Sequence, residues 1–295
     1  MDTQKIYEIM TFINLNLSEN ITLDMLSDEF SYSKFHMHRQ FKDITGETIN
    51  SYIRRKKIEN SIYFLFANLN YSISEIAAYN GFSSATYSRE FKRVFGRTPK
   101  QWRNIYKKQQ PPSDLSKICK NYDKFLCYDN YGIPNEIKKI EIARFEGMTL
   151  TAKIFFGNFY SRDLHSVWEE IRERNTFGFP VYGIPLDSPA VTDINKCLYL
   201  LGFISDMEIQ GLSKFEISDG QYLKIDFYGQ RSKLGEAYTW IMKFYMLQHN
   251  LKYDYRPQLQ KYMRADEFDK DKISCELYIP IMNSRQAFRR QYYEH

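Results

Sequence analysis

The chain is short of cysteine, of long apolar runs and of net charge, and each shortage removes a class of protein. Only four cysteines occur in 295 residues: Cys119, Cys127, Cys197 and Cys275. None forms a Cys-x-x-Cys pair, and no histidine stands at zinc-ligand spacing beside them, so they read as free thiols in a reducing cytosol. No run reaches the roughly 18 apolar residues that a membrane helix needs. The opening MDTQKIYEIMTF lacks the apolar core of a signal peptide. A cytoplasmic protein with no membrane contact is expected. His36 and His38 lie two apart, point to different faces of a helix and have no third ligand nearby. No metal and no cofactor are expected.

The net charge is only +5, but it is unevenly spread. Residues 1–110 hold 16 Lys and Arg against 11 Asp and Glu, which leaves 25 of each sign for the rest of the chain. The excess is densest from Phe91 to Ser113, where Lys92, Arg93, Arg97, Lys100, Arg103, Lys107 and Lys108 occur with no acid. A polyanion-binding half would be basic in this way, although so modest an excess also fits a solvated surface. Hydrophobic residues make up 43% of the chain, enough for packed cores, and the length suits two domains.

The strongest signal is internal. Residues 22–52 recur without a gap at 72–102. Ser33/Ser83, Arg39/Arg89, Phe41/Phe91, Lys42/Lys92, Gly46/Gly96 and Thr48/Thr98 are identical, and Leu23/Ile73, Leu26/Ile76, Tyr32/Phe82 and Tyr52/Trp102 match in character. A fixed period marks one supersecondary unit used twice. Ile6, Ile9, Met10, Ile13 and Leu17 predict an opening helix with one buried stripe. Thr22 caps a short helix, and Ser33 caps a second that Gly46 closes, which is a helix-turn-helix. A long helix over Thr48–Asn68, crossed by the charged run Arg54–Lys57, joins the copies. Ser72, Gly81, Ser83 and Gly96 then repeat the pattern, and Pro99 opens a last helix carrying Trp102.

A wheel at 100° per residue puts Met37, Phe41 and Ile44 on the core face of the Ser33-capped helix. Phe35, His38, Arg39 and Lys42 face outward. In the second copy Tyr87, Phe91 and Val94 turn inward, and Ala85, Ser88, Arg89 and Lys92 face out. Lys34 and Ser84, at the helix starts, join the two outward sets. One helix of such a pair can enter the DNA major groove, where Arg suits guanine and Phe35 a thymine methyl. Lys42 and Lys92 are placed for phosphates.

Gln109–Ser113, with tandem prolines, marks a linker. Beyond it, Ile137–Phe145, Thr149–Phe156, Leu198–Ile204, Tyr222–Phe227 and Ser274–Pro280 read as strands, and Asp163–Arg174 and Leu234–Leu247 as helices. The expected fold is an all-α N-terminal domain with two helix-turn-helix units on a linker helix, followed by an α+β C-terminal domain with an antiparallel sheet. Boundaries are placed at 1–108, a linker and lead-in at 109–135, 136–283, and a tail at 284–295. In the last strand Glu276 is a lone acid in an apolar run. Alternation puts it with Tyr278, away from Cys275, Leu277 and Ile279. Such a Glu is on an exposed face, protonated, or waiting for a cation.

Two stretches, SYSKFHMHRQFKDITGETINSYIRRKKI (Ser31–Ile58) and SISEIAAYNGFSSATYSREFKRVFGRTPKQWR (Ser72–Arg103), resemble the DNA-binding domain of the AraC/XylS family of bacterial transcription regulators. The resemblance implies two reading heads in two successive major-groove segments of double-stranded DNA, with Phe35, His38 and Arg39 at the first head's reading positions. It also implies RNA polymerase as a partner of an activator. Because Phe35 and His38 have Ala85 and Ser88 as counterparts, the site is expected to be asymmetric. From Phe82 to Phe91 the chain is one residue shorter than the common family pattern.

Residues 136–283 resemble the GyrI-like effector-binding domain through CELYIPI, GQYLKIDFYG (Gly220–Gly229) and VYGI (Val181–Ile184). That implies a duplicated β-α-β-β arrangement around a small-molecule cleft. Glu276, Tyr278, Tyr262, Trp168 and Tyr182 are the candidate ligand residues for a cationic or lipophilic aromatic effector. Gln260 stands where relatives often carry an acid, which lowers the cleft's expected charge. The arrangement as a whole resembles the Rob-type branch. An enzyme is not expected. The alternatives are a hydrolytic C-terminal half with Glu276 as base, and a constitutive regulator whose second domain binds a protein.

Overall fold

A computed structural model describes residues 2–67, 71–108, 133–159, 161–189, 191–264 and 272–282. Most of the expected linker, the expected tail after 283, Cys119 and Cys127 lie outside these residues. The N-terminal domain is helical: α1 (Thr3–Leu15), α2 (Leu23–Phe30), α3 (Lys34–Thr45), α4 (Ile49–Ala67), α5 (Ile73–Tyr79), α6 (Ser84–Phe95) and α7 (Pro99–Lys108). Local chemistry sets the helix ends. Thr22, Ser33, Ser72 and Ser83 each accept the backbone N–H three residues on, as caps do, and Ser72 with Glu75 forms a complete capping box. Gly46 and Gly96 close α3 and α6 at φ +80° and +72°, a left-handed conformation that glycine adopts without side-chain strain.

The helices α3 and α6 have equal length and begin after equivalent serines, so the shorter stretch from Phe82 does not displace the second helix. The turns before them also agree. Ser31 takes φ +55° in the first and Gly81 φ +74° in the second. The wheels need one adjustment. Met37, Phe41, Tyr87 and Phe91 are fully buried, but Ile44 is 36% exposed and Val94 only half-buried. Phe95 fills the inward position instead, and its carbonyl accepts the indole N–H of buried Trp102 at 3.2 Å.

The C-terminal domain is one eight-stranded antiparallel sheet. Its strands are β1 (Ile137–Phe145), β2 (Met148–Gly157), β3 (Val181–Pro185), β4 (Cys197–Ile204), β5 (Ser213–Ile217), β6 (Gly220–Gln230), β7 (Leu259–Tyr262) and β8 (Lys272–Pro280), in the order β1-β6-β8-β7-β3-β4-β2-β5. Two helices follow equivalent strands: α8 (Arg162–Arg174) after β2 and α9 (Leu234–Trp240) after β6. Past α9 the helix passes through a π segment, Ile241–Tyr245, into a last turn α10, Met246–Gln248. Two β-α-β-β halves, β2-α8-β3-β4 and β6-α9-β7-β8, therefore meet at the β3–β7 pair. The five-residue β3 and β5 and the four-residue β7 escaped the sequence reading, because runs so short carry almost no alternation signal.

Register and partners divide the sheet into two faces. Lys153 reaches Glu170 of α8 at 2.6 Å, and Tyr262 meets Trp168 of α8 edge-on at 4.9 Å, so those strand positions face the helices. The opposite face meets the N-terminal domain at its β2/β5 side. There Tyr7 of α1 stacks on Phe156 at 4.8 Å, and Ser213 donates to Glu8 at 2.8 Å. Covered on both sides, β4 is buried along nearly all its length, which is why it reads as a continuous apolar run rather than an alternating one. Cys197 and Cys275 are buried free thiols.

Candidate nucleic-acid interface and ligand groove

The reading helices present their outward residues as the wheels require. Phe35, in the first turn of α3, is 80% exposed, unusual for a large aromatic ring with an apolar core close by. Arg39 and Arg89 have side chains 69% and 71% exposed, with loose ion pairs to Asp43 at 3.8 Å and Glu90 at 3.6 Å. Lys42 and Lys92 are exposed in the last turns. Ser84 and Ala85 are exposed, and His38 and Ser88 half-buried beside the arginines. Lys34 is held by Asp24 of α2, so it braces the first unit as well as facing solvent. The basic stretch after Phe91 is less free than its composition suggests. Arg93 pairs with Glu90 at 2.9 Å, and Arg103 donates to the Tyr71 carbonyl at 2.6 Å.

The five ligand candidates fall on two faces of the sheet. Glu276, Tyr278 and Tyr182 share the face away from α8 and α9, since Lys261 is in register with both Glu276 and Tyr182. Tyr262 and Trp168 lie on the helix-covered face. The sheet therefore separates the two sets.

Glu276 is neither protonated nor waiting for a cation. It pairs with Lys224 at 2.6 Å and Lys261 at 3.4 Å and accepts the Tyr278 hydroxyl at 2.8 Å. Burial opposes its charge, but the hydrogen bonds from Lys224 and Tyr278, with the charge of Lys261, hold the carboxyl below its usual range. A carboxylate held that way is a weak base, which counts against hydrolytic use of Glu276.

On the helix-covered face, Gln260 gathers three tyrosines. Its Oε1 accepts from Tyr199 at 3.0 Å and Tyr262 at 3.1 Å, and its Nε2 donates to Tyr238 at 3.4 Å. Burial pushes all three phenols up, so the cluster is neutral. Gly183 belongs to it: a Cβ there would collide with the Tyr199 ring.

On the other face a groove of about 530 Å³ opens over the start of β3. Phe177, Phe179, Ile204 and Met207 form its rim, each at least 40% exposed, and Tyr182 and Lys261 line it. Of the six, only Tyr182 is among the ligand residues expected from sequence. For Phe177 and Phe179 the available signal was two phenylalanines flanking Gly178; Ile204, Met207 and Lys261 carry none.

Among the described residues no His, Cys, Asp and Glu group could hold a metal, and no helix is long and apolar enough to cross a membrane.

Comparison with known proteins gives a match for each domain. A model described as a helix-turn-helix domain matches residues 26–105, and one described as a GyrI-like small molecule binding domain matches residues 136–282. The probable transcription factor PqrA of Proteus vulgaris is 38% identical over 90 residues, 30% of this chain and 73% of that protein. The right origin-binding protein of Escherichia coli K12 is 31% identical over 98 residues, 33% of this chain. The chain thus spans about a third, 34%, of that relative's length. The solved structure of SAV2435 bound to tetraphenylphosphonium is 13% identical, covering 52% of this chain and 99% of that one, with a TM-score of 0.36.

Proposed function

The chain belongs to the AraC-type helix-turn-helix family and carries a GyrI-like domain behind the reader, and from that premise we infer that it is a sequence-specific, DNA-binding transcription regulator controlled by a small molecule. The observation that carries the reading is the pair of matched helices α3 and α6, each exposing an arginine and a lysine at equivalent positions. Arg39 and Arg89 read base edges, while Lys42 and Lys92 hold phosphates. Phe35 and His38 against Ala85 and Ser88 give the two heads different half-sites, so one chain reads one asymmetric site. The protein works in the cytoplasm as an activator in contact with RNA polymerase.

The groove on Tyr182 is the place where a lipophilic aromatic effector would sit, with Phe177 and Phe179 as stacking partners. The ligand acts only through a difference in affinity between active and inactive states.

Selection of binding sites from random duplexes with the full chain tests the reading. An asymmetric site with two half-sites about one helical turn apart is expected. A palindromic site, or no enrichment, would contradict it.

A further inference from the structure

Within the charged run on α4, the Lys56 side chain is only 3% exposed. It belongs to a continuous chain of contacts between the domains. Glu47, just after the first reading helix, accepts from Arg55 at 2.6 Å, and Arg55 donates to Glu59 at 2.7 Å. Glu59 accepts from Lys56 and from Thr192, both at 3.0 Å. Lys56 also donates to Asp187, two residues beyond β3. The other Asp187 oxygen accepts the Leu198 backbone N–H at 2.8 Å, at the start of β4.

The second head is tied to the same domain separately. The Tyr255 hydroxyl donates to Asn80, and its ring stacks on Tyr79 at 5.4 Å, at the end of α5.

Burying three charged groups from two domains is a costly way to stabilise an interface, because desolvation offsets much of the attraction. What directional ion pairs supply is a fixed geometry. The helix between the heads is 19 residues long, which at about 1.5 Å per residue is roughly 28 Å, somewhat under the roughly 34 Å of a DNA turn. A rigid spacer of that length sets the heads only if both are held against rotation about it.

We propose that Lys56, Glu59 and Asp187, together with Tyr255, are positioning residues for DNA reading, through which the C-terminal domain fixes the spacing and angle of the two heads. The proposal rests on the two-headed reading above.

The test uses the full chain on its selected site and on sites with one base pair inserted or removed between the half-sites. The wild-type chain is expected to lose about tenfold or more on either altered spacing. Asp187→Ala should lose less than about threefold relative to its own best site, because its heads can readjust. Its affinity for each isolated half-site should match the wild type, which simple misfolding would not allow. If Asp187→Ala does not fold, Tyr255→Phe, which removes one hydroxyl, decides in its place.

A wild-type spacing profile in the deciding variant overturns the proposal, as does a wild-type chain indifferent to spacing. Absence of any sequence-specific binding by the wild-type chain would instead sink the functional reading itself.

Discussion

Replacing Arg39 by alanine should lower affinity for the selected site while leaving the fold and random-sequence binding nearly unchanged. The magnitude follows from what Arg39 leaves behind on binding. Its side chain is 69% exposed, and its ion pair is a 3.8 Å contact with Asp43, itself 58% exposed. Such exposed pairs contribute about 0.2–1 kcal/mol. A bidentate contact to guanine discriminates by about 1–3 kcal/mol. At mid-range, about 2 against about 0.6 kcal/mol, the difference leaves about 1.4 kcal/mol in favour of DNA, or roughly tenfold in Kd. Alanine suits an exposed helix position, so the melting temperature should barely move.

Fluorescence anisotropy at fixed salt on the selected duplex, on a random duplex and on duplexes with single base changes gives the needed cycle. In wild-type protein one base change should cause the same loss as Arg39→Ala. In the variant that base change should add nothing further. Equal losses on selected and random DNA would refute groove reading, as would additivity at every base pair.

Lys42→Ala should weaken all sequences alike and reduce the slope of log affinity against log salt by about one, measured by titration across salt concentrations. Trp102→Ala should destabilise the N-terminal domain by about 3–5 kcal/mol, because the indole is fully buried and bonded to the Phe95 carbonyl; urea unfolding measures this. Gly81→Ala meets no atom within 4 Å but must take φ +74°, so its cost should be the backbone term alone, about 1–2 kcal/mol. Burial works against the Glu59 charge, yet Lys56 and Arg55 more than offset it and hold the carboxyl below its usual range. Its stabilisation is therefore complete above the unfolded carboxylate pKa and falls away as pH drops through the lower folded value. Thermal melts from neutral to acid pH should show that loss, and Glu59→Gln should flatten it.

The reader was legible because its signals are local. A cap and the N–H it accepts lie three residues apart, a closing glycine sits at a helix end, and the repeat itself compares each helix with its copy. The same locality explains the errors. Ile44 has the right helical phase for the core yet is 36% exposed, and in the second unit Phe95, one residue past the expected Val94, is the buried one. In the second domain the long strands and both helices were legible from their composition. The short β3 and β7 were not, although they form the centre of the sheet and divide the ligand candidates between its faces.

The sequence alone determined that two matched helix-turn-helix units stand in front of an α+β domain, and which residues each reading helix turns outward. Phase along one helix decides that, through side chains a few residues apart. Tertiary structure alone decided the long-range partners of the charged groups. Lys56 finds Asp187 131 positions away, and Glu276 finds Lys224 and Lys261 on neighbouring strands. No local period encodes such pairs, because the free energy of a charge depends on whatever the folded chain places beside it.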